Sequence, residues 1–106
     1  DDMHPAEMVH LERHLETDEV FVLLEGEALL FLTGGDGSGE LRVERMQPLK
    51  LYNVKRSAWH NAVLSRNATI LLVENKDTSQ ANSEYCPITN AQRAVIASSA
   101  RAVLEK

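Results

Sequence analysis

Glu12 and His14 stand one residue apart in the stretch Met8-Val9-His10-Leu11-Glu12-Arg13-His14-Leu15. On a strand, residues two apart point to the same face, so this carboxylate and this imidazole share one side. Val9, Leu11 and Leu15 take the opposite parity and are expected to face an outer apolar layer. Glu12 and His14 then face the interior. A carboxylate and an imidazole in an apolar interior are costly unless something pairs with them. A divalent cation does so, because both groups are suitable ligands for Fe, Mn, Ni or Zn. Glu19 comes five residues after His14, across a Thr17-Asp18 turn signal, and can reach the same interior from the next strand. His60, after Trp59, opens a later strand. Taken singly, each has a plain structural account. Glu12 and His14 can be a hydrogen-bonded pair in a wet cavity, Glu19 a strand end in water, and His60 a satisfied core histidine. Their joint spacing is what favours an ion. His10 lies on the same face as Glu12, where it lines the mouth or exchanges roles with it. His4, beside Pro5, reads as exposed.

The elements that must position these groups are strands. Val20 to Leu24 is a β-branched and aromatic run. Glu25-Gly26-Glu27 breaks it, and Ala28 to Thr33 resumes it, which reads as a hairpin with Gly26 in the turn. Gly34-Gly35-Asp36-Gly37-Ser38-Gly39 reads as a flexible hairpin tip. It is no phosphate cradle, since no Lys follows and the next segment is strand-like. Leu41 to Met46, Leu49 to Tyr52, Trp59 to Leu64 and Thr69 to Val73 complete the set, with Arg66-Asn67 as a turn. Short strands at this spacing indicate a sandwich or barrel. The stretch 77–88 reads as a polar loop. Thr89-Asn90-Ala91-Gln92 is a capping box, opening a helix over about 90–104 with Val95 and Ala102 in its apolar stripe. That helix is expected to dock on the strands.

At 106 residues the chain is one domain with a single core, spanning 1–106. A hydrophobic share of 43% and a charged share of 25% are ordinary for a folded soluble protein. A net charge of −5 argues against nucleic acid and against an anionic membrane surface as partners. No apolar stretch approaches the ~20 residues of a membrane span. The first residues are acidic and polar, unlike a signal peptide; beginning at Asp1, the sequence reads as trimmed or as a piece of something longer. The single cysteine, Cys86, fits a reducing compartment, with the cytoplasm as the expected location. No basic neighbour in sequence activates it as a nucleophile. Tyr52, Trp59 and Phe31 read as core or as an apolar pocket wall. Arg56 and Arg66 are candidates for holding a substrate carboxylate, with surface placement as the plainer account.

His14, four residues, Glu19, six residues and Gly26 reproduce the second half of the first cupin motif, G-x5-H-x-H-x3,4-E-x6-G; Glu12 occupies the position of its first His. His60 fits the His of the second motif, G-x5-P-x-G-x2-H-x3-N, with Lys55, Ser57 and Leu64 at its Pro, second Gly and Asn positions. Over residues 8 to 75 the chain thus resembles a small single-domain cupin. The resemblance implies an all-β fold: a small antiparallel jelly-roll β-barrel over about 8–75, with a C-terminal α-helix. It also implies a divalent metal on His14, Glu19 and His60, with Glu12 as a fourth ligand.

Three functions follow as expectations. The first is a metal-dependent enzyme on a small polar metabolite, carboxylate- or sugar-like, with Glu12 as ligand or general base. The fold does not choose the reaction. The second is a module that binds a small molecule without turnover. The third is a dimerisation domain, since cupins commonly pair through sheet edges; a homodimer is the expected assembly.

Overall fold

The computed structural model describes residues 8–15, 18–73 and 83–104. Eight strands and one helix lie among them: β1 (His10–His14), β2 (Glu19–Glu25), β3 (Ala28–Thr33), β4 (Arg42–Arg45), β5 (Leu51–Val54), β6 (Trp59–Leu64), β7 (Thr69–Val73), β8 (Ser83–Pro87) and α1 (Asn90–Leu104). The strands form two antiparallel sheets, one ordered β4-β3-β6-β1-β8 and the other β5-β2-β7. The pairings nest: β1 with β8, β2 with β7, β3 with β6.

Strand β3, inside the five-stranded sheet, is buried on both faces, which explains the unbroken apolar run Ala28-Leu29-Leu30-Phe31-Leu32. Leu29 and Phe31 join Leu11, Trp59, Val63, Ile96 and Ala100 in a core beneath α1. Ala28 and Leu30 join Phe21, Leu23, Met46, Val54 and Ala62 in a second core between the sheets, so the single core expected from chain length is divided in two by the five-stranded sheet. β6 shows the alternation most plainly, with Trp59 and Val63 toward the helix and Ala62 toward the other sheet.

Helix α1 begins as its capping box requires. Thr89 Oγ1 accepts from the Gln92 N–H at 3.0 Å, and Gln92 Oε1 accepts from the Thr89 N–H at 3.0 Å. Buried Gln92 also donates through Nε2 to the carbonyls of Gly37 (2.7 Å) and Gly39 (2.8 Å), tying the helix to the glycine-rich tip of the β3–β4 hairpin. The buried stripe is Gln92, Ile96 and Ala100, at i, i+4 spacing, with Val95 only partly buried and Ala102 exposed. No described helix is long and apolar enough to cross a membrane.

Four expectations are corrected. The two sheets do not close into a barrel: β4 stays on β3 while β5 joins β2, and only a bridge between Leu23 and Pro48 marks the passage. Pro48 has no N–H to extend a ladder, and Leu49 turns the chain with φ 63°. The Gly26 turn is no hairpin, because β2 and β3 belong to different sheets. Gly26 (φ +79°) is the corner between them, and a Cβ there would sit 2.6 Å from the Ala68 Cα. The adjoining turn locks onto it: the Glu27 carbonyl accepts from the Ser65 N–H and the Ser65 hydroxyl from the Glu27 N–H, both at 2.9 Å. The supposed loop contains strand β8, paired with β1 over its whole length; the partner in register makes Ser83–Pro87 a strand, not its composition. Val9 (63%) and Leu15 (38%) are exposed and do not follow Leu11 (0%) into the core, since β1 ends inside them. His4 and residues 77–82 lie outside the described residues.

Candidate metal centre

β1 ends on His14, β2 begins on Glu19, and β6 carries His60 as its second residue. All three side chains are buried, at 9%, 3% and 3% exposure. Glu12 lies directly opposite His60 across the β1–β6 ladder, so the two share the face between the sheets. The turn before β6 helps fix His14, because its carbonyl accepts from the Ser57 N–H at 2.7 Å.

The four residues converge. His14 Nε2 is 2.6 Å and His60 Nε2 3.0 Å from the same oxygen, Glu19 Oε1. Glu12 Oε1 is 4.0 Å from His14 Nε2, and single donor atoms of Glu12, His14 and His60 all fall within 4.8 Å of one another. Glu12 is the most open of the set, with about a third (35%) of its side chain exposed. The His14 and His60 ring centres are 5.8 Å apart, and Phe21 presents an apolar wall to His60 at 6.1 Å.

The far nitrogens of both rings are anchored. His14 Nδ1 is 2.8 Å from Ser83 Oγ, and His60 Nδ1 is 2.9 Å from the Ala58 carbonyl. A carbonyl only accepts, so His60 Nδ1 carries a hydrogen. If the ring is neutral, its Nε2 then turns a lone pair toward the Glu19 oxygen. Nε2 is buried and makes no well-aligned hydrogen bond among the described residues. Two lone pairs at 3.0 Å repel unless positive charge lies with them, as a proton on the ring or as a cation held by both. Burial is the largest single influence on His60 and lowers its pKa. The Glu19 carboxylate, the Ala58 carbonyl and the negative charges of Glu19 and Glu12 together outweigh it, and the pKa is raised.

A buried imidazole pair, each ring steered from behind by an oxygen, facing one or two carboxylates, is a donor set that fits a divalent ion. Ser83 and Ala58 were not legible as orienting groups: one lies in a polar stretch without periodicity, and the other acts through its backbone. His10 does not reach the cluster and packs edge-on against Tyr85 at 4.8 Å. Phe31 and Trp59 sit in the core beneath the helix, on the opposite face of the sheet. Tyr52 packs beside the inter-sheet core. Arg56 and Arg66 are exposed. Cys86 lies in β8, not in a loop. Burial raises its pKa against the Leu11 backbone and Arg13, the basic neighbour that the sequence does not reveal.

No known family model matches this chain, and no curated protein matches it closely enough to count as a relative.

Proposed function

We propose that this chain is a metal-binding protein of the cupin type, an open jelly roll that holds a divalent cation on His14, Glu19 and His60 and acts on a small polar metabolite. The observation that carries the reading is the convergence of two anchored imidazoles on one buried carboxylate oxygen, at 2.6 and 3.0 Å. The nested strand pairing is that of a rolled-up hairpin, as in a jelly roll. Backbone conformation supports the motif assignment independently. The glycine ending the first motif falls on Gly26 (φ 79°), and the two glycine positions of the second fall on Leu49 (φ 63°) and Ser57 (φ 68°). All three lie in the left-handed region that favours glycine. Leu49 and Ser57 are the only non-glycine residues there among those described.

A bound Fe, Mn, Ni or Zn ion would supply Lewis-acid polarisation of a carbonyl or carboxylate oxygen. The chain's own residues do the rest. Ser83 and Ala58 orient the two rings, Phe21 keeps water from one side of His60, and Glu12, at the more open rim, serves either as fourth ligand or as the group that takes and returns a proton. Elemental analysis of protein reconstituted with each ion tests the reading. About one ion per chain is expected in the wild type, and far less in His14→Ala and His60→Ala. No stoichiometric metal in the wild type overturns it.

A second reading, a dimerisation module, is favoured by one surface. The outer face of the three-stranded sheet carries Leu24, Leu51, Leu71 and Val73 at 42%, 70%, 49% and 54% exposure. An exposed apolar sheet face of this kind invites a second copy. Light scattering of wild type and Leu71→Glu tests it: a wild-type dimer that the charge dissociates supports pairing through this face, and a wild-type monomer rejects it.

A further inference from the structure

One rung runs straight across the five-stranded sheet. Tyr85, Glu12, His60, Leu32 and Arg42 are successive register partners on β8, β1, β6, β3 and β4. Directly paired residues point to the same face, so Arg42 shares the inter-sheet face with the metal cluster. It stands two strand spacings from His60, about 10 Å between Cα atoms, with Leu32 between them.

Above Leu32 the sheets do not meet. The seam between β4 and β5 contains a solvent-open groove of about 500 Å³, lined among others by Leu32, Glu40, Arg42, Asn53, Lys55 and Ala58. A further hollow of about 230 Å³ continues along the seam past Leu32 and Arg42 to Lys50 and Tyr52. The volume suits a small metabolite. Ala58 brings the groove to the back of the His60 ring, because its carbonyl holds Nδ1, the nitrogen turned away from Glu19. Three cations, Arg42, Lys50 and Lys55, gather here in a chain whose net charge is −5. Two acids, Glu40 and Glu44, line the same seam, and Glu44 stands 3.8 Å from Arg42 Nε.

We propose that this seam binds a short dicarboxylate, with one carboxylate on Arg42 and Lys55 and the other directed along the rung toward His60. The assignment of the inner carboxylate rests on the metal reading above; that of the outer one rests on the seam alone. A guanidinium recognises a carboxylate through paired charge-assisted hydrogen bonds, which a lysine at the same place does not reproduce. The roughly 10 Å between the Cα atoms of Arg42 and His60, with Leu32 between them, is a span of a few carbon atoms.

The probe is succinate, with neutral succinamide as control, titrated calorimetrically into zinc-loaded and metal-free protein after zinc alone has been titrated. Wild type, Arg42→Leu and Lys55→Ala are compared; the Arg42 side chain is 72% exposed, so its loss leaves the fold intact. Zinc-loaded wild type should bind succinate but not succinamide. Arg42→Leu should weaken succinate about ten- to a hundred-fold without changing zinc stoichiometry. Zinc binding with no succinate binding, or with equal affinity in Arg42→Leu, overturns the seam and leaves the metal site standing. Failure of zinc itself to bind overturns the metal reading, and the seam is then judged on metal-free protein. There, succinate binding lost in Arg42→Leu supports it, and no such dependence rejects it.

Discussion

Leu49 and Ser57 occupy left-handed backbone, at φ 63° and 68°, that a residue with a β-carbon enters at a cost. Each is third in a four-residue turn. Lys50 N–H bonds the Gln47 carbonyl at 3.4 Å around Pro48-Leu49, and Ala58 N–H bonds the Lys55 carbonyl at 3.1 Å around Arg56-Ser57. These are type II turns, whose third position favours glycine. Leu49→Gly removes a steric cost of about 1–2 kcal/mol and adds about 0.5–1 kcal/mol of unfolded-chain entropy. The Leu49 side chain is 75% exposed, so little packing is lost. The N–H groups of both residues, which bond the Leu23 carbonyl at 2.8 Å and the His14 carbonyl at 2.7 Å, remain in place. Each substitution should therefore stabilise by roughly 0.5–1 kcal/mol, and the pair by about 1–2 kcal/mol if the separate turns act independently. For a chain of this length the double variant should melt ~3–10 °C higher. Thermal and urea unfolding followed by circular dichroism measure it, with Asn53→Gly, on an exposed strand position, as a control expected to destabilise. A double variant no more stable than wild type would refute the backbone assignment, and with it the alignment of both turns to motif glycines.

Gly26→Ala should go the other way, losing about 2–4 kcal/mol through left-handed strain and collision with the Ala68 backbone, and a large drop in urea midpoint would show it. Gln92→Ala breaks the capping box and strands the Gly37 and Gly39 carbonyls beneath α1; a loss of about 2–3 kcal/mol is expected in the same unfolding assay. With chelator present, stability should fall as pH rises above about 6.5: the raised pKa of His60 gives stabilisation that is complete below the unfolded value and is lost through the folded one. Saturating zinc should reverse that slope, because the ion needs the neutral ring. Parallel slopes with and without zinc would mean that His60 takes no part in binding.

Local signals carried the strands whose faces are decided by burial. β6 falls at the expected residues, Trp59–Leu64, because its two faces bury against different cores, and β7 at Thr69–Val73 because an apolar, β-branched run follows the Arg66-Asn67 turn. The capping box placed the start of α1 for the same kind of reason, since both its hydrogen bonds are local. What needed three dimensions was which strand meets which. Glu25-Gly26-Glu27 has the composition of a hairpin turn, yet the two runs it joins bury opposite sides of one inter-sheet core and so must part. β8 has no pattern of its own, and its role follows from lying against β1. The candidate site was legible as residue types and spacing, Glu12, His14, Glu19 and His60, because a ligand set must be written in chemistry-bearing side chains. Its supports were not: the Ala58 carbonyl and the Ser83 hydroxyl belong to residues with no such signature. Arg42 was invisible as a partner of His60, since only the β3 register sets the two on one rung.

The most direct test is the position of the ion itself. Crystals grown from zinc-loaded protein and measured at the zinc edge should show one anomalous peak per chain, about 2.0–2.2 Å from both His14 Nε2 and His60 Nε2 and in contact with Glu19. A fully loaded protein whose peak lies on other side chains, or touches only one of the two rings, contradicts the account.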